Sequence, residues 1–194
     1  MQILAGLFRG RRLLSPPEGS DTRPMTGAVK KSLFGMIGPL LEGATVLDLY
    51  CGTGTLGLEA LSQGAKRCFF AERDRRVLVN LRQNIEMLAV AQRCVIWGGD
   101  IETGLAGWLD STDLRADVVF VDPPFASVRQ WSWAGVESDI FAPLGRHVTD
   151  GGVVALRLPQ GTQAPQRIGS LSQWKARDYG DMSVVLLTHD KESP

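Results

Sequence analysis

The chain has 194 residues, of which 44% are hydrophobic and 22% are charged, a composition typical of one well-packed globular domain. Its apolar runs are far shorter than the ~20 residues that a membrane-spanning helix requires, and its N-terminus has no signal-peptide pattern. The formal net charge is zero, the three cysteines form no Cys-x-x-Cys pair, and the two histidines stand apart. We therefore expect a cytoplasmic protein with neither a disulfide framework nor a metal mechanism.

The N-terminal segment, residues 1–44, differs in charge and in pattern from the rest of the chain. Residues 1–35 carry six Lys/Arg against two Asp/Glu, a net charge of +4 that the remaining residues balance with −4. Within this segment, ILAGLFRGRRLL predicts a hairpin and GAVKKSLFGMIG predicts a helix. A basic arm on an acidic body favours a polyanionic partner, although charge alone is equally compatible with a solvated basic surface.

The basic side chains of this arm are candidates for contacting phosphate groups. Gly10 permits a tight turn in LFRGRRLL, and such a turn would present the neighbouring guanidinium groups as a cluster suited to bidentate phosphate contacts. Arg23, Lys30 and Lys31 could extend this surface towards the catalytic edge. The candidate residues are Arg9, Arg11, Arg12, Arg23 and Lys30.

From residue 45 onward, short apolar runs alternate with stretches of helical periodicity. Strands are predicted at 45–50, 67–72, 93–97, 116–121 and 152–158, with helices at 55–64, 75–90 and 101–110. Asp74 suits the N-cap of the second of these helices. Residues 174–179 and 182–189 predict a closing antiparallel hairpin. Apolar strands that alternate with helices indicate an α/β fold, in which a mostly parallel sheet is covered by helices on both faces.

A glycine-rich turn after the first strand points to a cofactor site. Gly52, Gly54 and Gly57 match G-x-G-x-x-G between a strand and a helix, the pattern of dinucleotide-binding turns. Asp48 lies directly before this turn, where its charge would repel a pyrophosphate. A cofactor without phosphates and with a cationic centre would tolerate that charge. S-adenosylmethionine (SAM) therefore fits better than a nicotinamide dinucleotide.

Further acidic residues end the strands that follow. Glu72 could hold ribose hydroxyls, and Asp100 could accept a hydrogen bond from an adenine amino group. Because ligands of parallel sheets bind beyond the carboxyl ends of the strands, these side chains are expected at one edge. The alternative is that Asp48 and Asp100 only cap turns. The candidate cofactor-binding residues are Asp48, Cys51, Gly52, Gly54, Glu72, Arg73, Asp100 and Ile101.

The fourth strand runs into Asp122-Pro123-Pro124-Phe125, which suits the methylation of an amine. The lone pair of an exocyclic amine is delocalised, and two acceptors on its N–H bonds help it to turn towards a methyl donor. The Asp122 carboxylate is one acceptor, and the carbonyl of Pro123, held rigid by the two prolines, is the other. Phe125 offers a face on which a flipped base can stack. The alternative is that the prolines stop a strand and that Phe125 belongs to the core.

The chain resembles the bacterial 16S ribosomal RNA guanine-N2 methyltransferase family over essentially its whole length. The resemblance lies in AGLFRGRRL, RPMTGAVKKSLF, DLYCGTGTLGLEALSQGA, FAERD and VFVDPPF, in the family's order and spacing. Many amino-methyltransferases share the glycine turn and Asp-Pro-Pro-Phe, so the two N-terminal stretches carry the narrower assignment. The resemblance implies a class I methyltransferase fold with a seven-stranded, mostly parallel sheet. It also implies SAM as the donor and the N2 amine of one small-subunit guanine as the acceptor.

The uneven distribution of charge predicts different roles for the two parts of the chain. Residues 1–44 would form an RNA-docking extension, and residues 45–194 would form the SAM-dependent methyltransferase domain. We expect 16S rRNA as the partner, within a 30S subunit or an assembly intermediate, and a monomeric enzyme. The sequence also departs from the family pattern. Met25, Gly27 and Lys31 replace a Thr, an Asp and a Glu, Arg157 stands where an acid is usual, and residues 126–146 match poorly.

Other functions are compatible with parts of the pattern. An adenine-N6 methyltransferase acting on DNA or RNA, or a glutamine methyltransferase acting on a protein, would use the same Asp-Pro-Pro-Phe chemistry. A nicotinamide-dependent oxidoreductase would use the glycine turn. A SAM-fold binding module without catalysis would be compatible with the altered RPMTGAVKK stretch but not with the intact catalytic tetrapeptide.

Overall fold

An eight-stranded sheet forms the centre of the protein. The computed structural model describes residues 1–19 and 25–189. The strands are β1 (Thr45–Leu49), β2 (Arg67–Glu72), β3 (Cys94–Gly98), β4 (Ala116–Val121), β5 (Val148–Pro159), β6 (Arg167–Ile168), β7 (Leu171–Tyr179) and β8 (Met182–His189). The helices are α1 (Gly27–Ile37), α2 (Thr55–Ser62), α3 (Arg75–Met87), α4 (Ile101–Asp110), α5 (Phe125–Val128), α6 (Trp133–Val136) and α7 (Ala142–His147). Within these ranges, none of the helices is long and apolar enough to cross a membrane.

The strands follow the order β3-β2-β1-β4-β5-β8-β7-β6. β1 to β5 are mutually parallel, and β8, β7 and β6 continue the sheet in antiparallel pairs. The mostly parallel α/β architecture and the closing hairpin agree with the sequence analysis. The eighth strand is the two-residue β6, which is too short to leave a periodic pattern in the sequence.

Two layers of apolar side chains cover the two faces of the sheet. One layer joins β1, β2 and β4 to α1, α2 and α3, and the other joins the opposite face to α4, α5, α6 and α7. Every residue of β1 and almost every residue of β4 is buried, because these central strands have neighbours on both edges and helices on both faces.

The order of the strands reverses between β1 and β4, and this reversal places the site. β1 and β4 pair in parallel with Leu49 opposite Val121. Tyr50 and Asp122 therefore leave the sheet side by side, where diverging connections open a crevice. The helices beyond this edge begin at the predicted residues. The cap at Asp74 is the predicted one, whereas capping by Asp100 is the alternative to its cofactor role. Asp74 caps α3 by accepting a 2.8 Å hydrogen bond from the Arg76 amide, and Asp100 caps α4 by accepting one of 3.3 Å from Thr103.

The N-terminal arm folds back on itself and packs into the first hydrophobic layer. The predicted hairpin is reduced to one bridge between Gln2 and Arg12, with short backbone bonds on either side. Ile3 and Leu13 are buried in the same cluster as α1 and α2. The arm is thereby attached to the core formed by the sheet and its helices rather than forming a core of its own.

A buried carboxylate in α2 secures this attachment. Glu59 accepts hydrogen bonds from the amides of Leu4, at 2.8 Å, and Ala5, at 2.9 Å. The ammonium group of Lys30 lies 2.8 Å from the same carboxylate and also donates to the carbonyl of Gln2. This geometry corrects the prediction for Lys30: its side chain is only 6% exposed and neutralises a buried acid, so it is not available to a phosphate.

Candidate active site

A cavity of about 370 Å³ opens beyond the carboxyl ends of β1, β2, β3 and β4. Its walls come from the turns after these strands, from the start of α4, from Arg157 on β5, and from Met1 and Pro16 of the N-terminal arm. Six of the predicted cofactor residues line it: Cys51, Gly52, Glu72, Arg73, Asp100 and Ile101. Three of the predicted catalytic residues line it as well: Asp122, Pro124 and Phe125.

The glycine turn after β1 is built by residues with left-handed backbone. Tyr50, Gly52 and Gly54 have φ values of 58°, 56° and 84°. Cys51 and Gly52 face the cavity, whereas Gly54 is missing from its lining. A Cβ on Gly54 would lie 2.5 Å from Leu81, so this glycine is needed for packing as well as for its backbone conformation. Gly54, like Pro123, is not among the cavity-lining residues, and its contact with the cofactor stays a prediction.

The third glycine of the motif also serves packing. A Cβ on Gly57 would lie 2.4 Å from the Phe70 ring and 2.6 Å from the Cys68 sulfur, both buried. Gly57→Ala should therefore lower the free energy of unfolding by about 1–3 kcal/mol, the usual cost of overpacking a core. Urea titration measures this change. Gly35→Ala is the control, because a Cβ there meets open space in α1, and alanine should stabilise the helix by about 0.5–1 kcal/mol.

Asp48 lies behind the glycine turn rather than on the cavity wall. It is 1% exposed and accepts a 2.8 Å hydrogen bond from the Gly57 amide, which fixes the start of α2. Burial raises the pKa of its carboxyl well above the ordinary value, and the hydrogen bond from Gly57 opposes this rise. The negative charges of Asp122 and Glu72 raise that pKa further. The prediction of direct cofactor contact by Asp48 is corrected, because its side chain is covered by the turn itself.

Glu72 joins the turns that follow β1 and β2. One carboxylate oxygen accepts a 3.1 Å hydrogen bond from Gly52, and the other accepts bonds of 2.8 Å from the amides of Arg73 and Asp74. The side chain lines the cavity although the residue is 7% exposed. Since a carboxylate has about four acceptor positions, the three backbone bonds leave it capacity for a ligand hydroxyl.

The opposite wall is more open to solvent. Asp100 lies 3.7 Å from Arg73, and their side chains are 45% and 61% exposed. Tyr50 also lines the cavity, and sequence reasoning missed it. Burial raises the pKa of the Tyr50 phenol, and the charges of Glu102 and Asp100 raise it further. In the sequence, the position of this aromatic residue between a buried strand and a glycine turn is the feature that could have indicated a cavity-lining role.

The Asp-Pro-Pro-Phe segment forms the remaining wall. The Asp122 amide donates a 3.3 Å bond to the Leu49 carbonyl, which holds the segment beside β1. The Pro124 carbonyl accepts from the amides of Ser127 and Val128 and so begins α5. Pro123 is buried, and within residues 1–19 and 25–189 its carbonyl accepts no hydrogen bond. The described residues thus donate hydrogen bonds to the Pro124 carbonyl but none to the Pro123 carbonyl.

The Asp122 carboxyl is partly buried and has an altered acidity. Its side chain is 16% exposed. Burial raises the pKa of Asp122 from 3.8 to about 6, and the positive charge of Arg157 limits the rise. The carboxyl is therefore mostly ionised at neutral pH and can accept hydrogen bonds from an amine. Arg157 forms an ion pair with this carboxylate, and sequence reasoning did not place it in the site. A charged residue inside the apolar run GVVALRL was the signal for it.

The predicted phosphate-binding residues differ in their placement. Arg9, Arg11 and Arg12 are all exposed on the arm, and Arg11 donates a 2.9 Å hydrogen bond to the Met87 carbonyl at the end of α3. Arg23 lies outside the described residues. The arm reaches the active site, since Met1 and Pro16 line the cavity.

Comparison with known proteins identifies a family and two relatives. The sequence profile of the family described as conserved hypothetical protein 95 matches residues 1–188. The Bacillus subtilis (strain 168) protein named "Putative rRNA methyltransferase YlbH" is 29% identical over 187 residues, which cover 96% of this chain and 97% of that protein. The Escherichia coli (strain K12) "Ribosomal RNA small subunit methyltransferase D" is 34% identical over 125 residues, which cover 64% of this chain and 60% of that protein.

Solved structures share the fold. A hypothetical protein of Thermus thermophilus matches with a TM-score of 0.79 at 24% identity, covering 97% of this chain and 99% of that one. An RNA methyltransferase of Salinibacter ruber, solved in complex with S-adenosyl-L-homocysteine, matches with a TM-score of 0.59 at 20% identity, covering 89% and 97%. At these identities the likeness concerns the fold alone, and it confirms the predicted class I methyltransferase architecture.

Proposed function

The chain belongs to the family described as conserved hypothetical protein 95, and from this premise we propose that it methylates the N2 amine of a guanine in 16S ribosomal RNA with SAM as the donor. One observation carries the proposal: Asp122 and Phe125 line the same cavity as Glu72 and Asp100. The proposed hydrogen-bond acceptor for the target amine and the proposed cofactor site thus share one cavity. Relatives whose names include rRNA methyltransferase support RNA as the substrate.

The acidic wall of the cavity suits SAM. Glu72 would hold the ribose hydroxyls, Asp100 would accept from the adenine amino group, and the backbone of Cys51 and Gly52 would approach the cofactor closely. SAM supplies a methyl group on a cationic sulfur that departs as a neutral thioether. The negative charges of the cavity favour such a cation and disfavour a pyrophosphate, which argues against a nicotinamide cofactor.

The Asp-Pro-Pro-Phe wall suits an exocyclic amine. The Asp122 carboxylate accepts one N–H bond and the Pro123 carbonyl accepts the other, so the nitrogen lone pair is directed into the cavity. The nitrogen–carbon bond would form as the sulfur–carbon bond breaks, and the proton lost by the amine would pass to the Asp122 carboxylate and from there to water. Because both acceptors are held rigidly before the substrate arrives, correct placement supplies much of the rate. Phe125 would stack on the extruded base.

The N-terminal arm is the proposed RNA-docking element. Residues 1–44 present three exposed arginines and reach the cavity wall, whereas residues 45–194 hold the proposed catalytic groups. Arginine is suited to phosphate contacts because its guanidinium group donates two parallel hydrogen bonds. We expect the substrate to be a 30S subunit or an assembly intermediate, and the enzyme to act as a monomer.

One experiment separates this function from its competitors. Labelled SAM is offered in parallel to 30S subunits from cells that lack the enzyme, to DNA and to a release factor, and the products are hydrolysed and identified. The proposal requires N2-methylguanosine in 16S rRNA. N6-methyladenosine would instead identify an adenine methyltransferase, methylglutamine a protein methyltransferase, and no transfer at all a binding module.

Glu72→Ala tests the cofactor assignment. We expect SAM binding to weaken by about 1–3 kcal/mol, the cost of leaving charged hydrogen-bond partners unmade. Calorimetry measures the affinity, and circular dichroism checks that the turns held by Glu72 remain folded. Glu86→Ala, at an exposed position of α3, is the matched control and should bind SAM as the wild type does. Unchanged affinity in Glu72→Ala would remove this residue from the site, and equally strong NAD binding would overturn SAM.

A further inference from the structure

Arg157 occupies an unusual position for a charged residue. It lies near the end of β5, is 4% exposed, and pairs in the sheet with Val184 of β8. A guanidinium group rarely lies buried in an apolar strand without a partner that offsets the loss of hydration. The contacts of Arg157 therefore indicate what maintains it there.

Two of those contacts belong to the proposed catalytic segment. The Arg157 guanidinium forms an ion pair with the Asp122 carboxylate. Its central carbon also lies 5.0 Å from the centroid of the Phe125 ring, within the range of a cation–π contact. The Arg157 guanidinium thus contacts both the carboxylate proposed to accept a hydrogen bond from the amine and the ring proposed to stack on the base.

We propose that Arg157 is a positioning residue for methyl transfer, which holds the Asp122 carboxylate and the Phe125 ring in one arrangement before the target base enters. This inference rests on the proposed function. Arg157 acts through its two neighbours and need not touch the base. Because the guanidinium engages one oxygen of Asp122, the other oxygen remains for the target amine. Phe125 packs partly against the core and also lines the cavity, so the Arg157 contact restrains a ring that a base could approach from the cavity.

The charges around Asp122 show why a cation is needed there. Asp48 of β1 is a second acid near Asp122: burial raises the pKa of Asp48 most, and the charge of Asp122 raises it further. Arg157 faces Asp122 from β5, and the exposed Arg129 follows α5 on the cavity wall. Arg73, Asp74, Asp100, Glu72 and Glu102 line the more distant walls. Arg157 is the cation in direct contact with Asp122, so its loss should leave the carboxylate loosely held and less acidic.

The test compares two substitutions of Arg157. Arg157→Gln removes the charge, and Arg157→Lys keeps the charge but lacks the planar fork. At saturating SAM and 30S subunits, we expect turnover of Arg157→Gln to fall by about 10- to 100-fold, in line with losing a hydrogen bond to a charged group. In the pH profile of kcat/KM, the acid limb of Arg157→Gln should lie at higher pH than that of the wild type. Arg157→Lys should keep the wild-type limb but turn over several-fold more slowly. The KM for SAM should change little in either variant.

Arg115→Gln is the matched control. Arg115 precedes β4, at the end of the sheet away from the cavity, is exposed, and donates to the Arg146 carbonyl. It should leave both turnover and the pH profile unchanged. Wild-type turnover in Arg157→Lys, or an unmoved acid limb in Arg157→Gln, would overturn the proposal, since a purely structural arginine would lower stability without moving either quantity.

A second measurement separates this inference from the proposed function. Carbon-detected NMR follows the titration of the Asp122 carboxyl in the protein without substrate. The titration midpoint should be higher in Arg157→Gln than in the wild type, whatever the enzyme methylates. If the wild type fails to methylate 30S subunits but the midpoint still moves, the proposed substrate is wrong and the coupling of Arg157 to Asp122 is retained. An unmoved midpoint overturns that coupling.

Discussion

Asp122→Ala should lower turnover on 30S subunits by about 100-fold or more, a loss typical of removing one preorganised electrostatic partner. The affinity for SAM should stay near the wild-type value. The reason is that the bond from the amine to the carboxylate strengthens as the nitrogen develops positive charge, so its loss is felt in the transition state rather than in cofactor binding. Single-turnover kinetics measures the rate of methyl transfer, and calorimetry measures the affinity for SAM.

One control for Asp122 is an aspartate at the other end of the same strand. Asp113 precedes β4 as Asp122 follows it, and Asp113 is exposed in the turn before the strand. Asp113→Ala should therefore turn over at the wild-type rate. Asp122→Asn keeps one acceptor oxygen and should be less damaging than alanine. Near-normal turnover of Asp122→Ala on the true substrate would show that Asp122 is a turn residue.

The pH profile gives an independent readout of the same carboxyl. Burial raises the pKa of Asp122 to about 6, with Arg157 opposing the rise. Transfer needs the carboxylate as an acceptor, so kcat/KM should fall as the pH drops through about 6 and should be level above it. An unperturbed aspartate would place this limb near pH ~4. In Asp122→Asn the limb should disappear.

Changing Arg9, Arg11 and Arg12 together to Glu should abolish methylation of RNA while leaving folding and SAM binding intact. These side chains are exposed on the arm, which suits them to contact phosphates. Reversing their charge replaces attraction by repulsion along the backbone of the RNA. Methylation by the wild type should also weaken steeply with salt, because each phosphate that a cation neutralises releases counterions.

A matched triple variant controls for net charge. Arg115, Arg146 and Arg177 are exposed elsewhere on the protein, and changing them to Glu alters the net charge by the same amount. This variant should keep methylating 30S subunits with the wild-type salt dependence. If the arm variant instead methylates at the wild-type rate with an unchanged salt slope, the arm is structural, and a protein or a small molecule becomes the better acceptor.

The sequence by itself determined the architecture and nine of the residues that line the cavity. Apolar runs alternating with helical periods predicted the parallel sheet, and the ends of those runs placed Glu72, Asp100 and Asp122 at one edge. The position of Asp74 before a stretch of helical periodicity predicts a helix cap, and the structure confirms it. These inferences succeeded because each depends on neighbours within a few positions along the chain, where periodicity, capping and turn chemistry are written directly in the residue types.

The tertiary structure alone decided which polar side chains face the cavity and which lie behind it. Lys30 pairs with Glu59 inside the core, Asp48 is covered by its own turn, and Arg157 reaches Asp122 from the neighbouring strand. The contacts of Lys30 and Arg157 join segments that are distant in sequence, and the cover over Asp48 depends on how the turn after it folds. No local pattern encodes them, because the sign of a charge is visible in the sequence but its burial and its partner depend on how strands and helices pack.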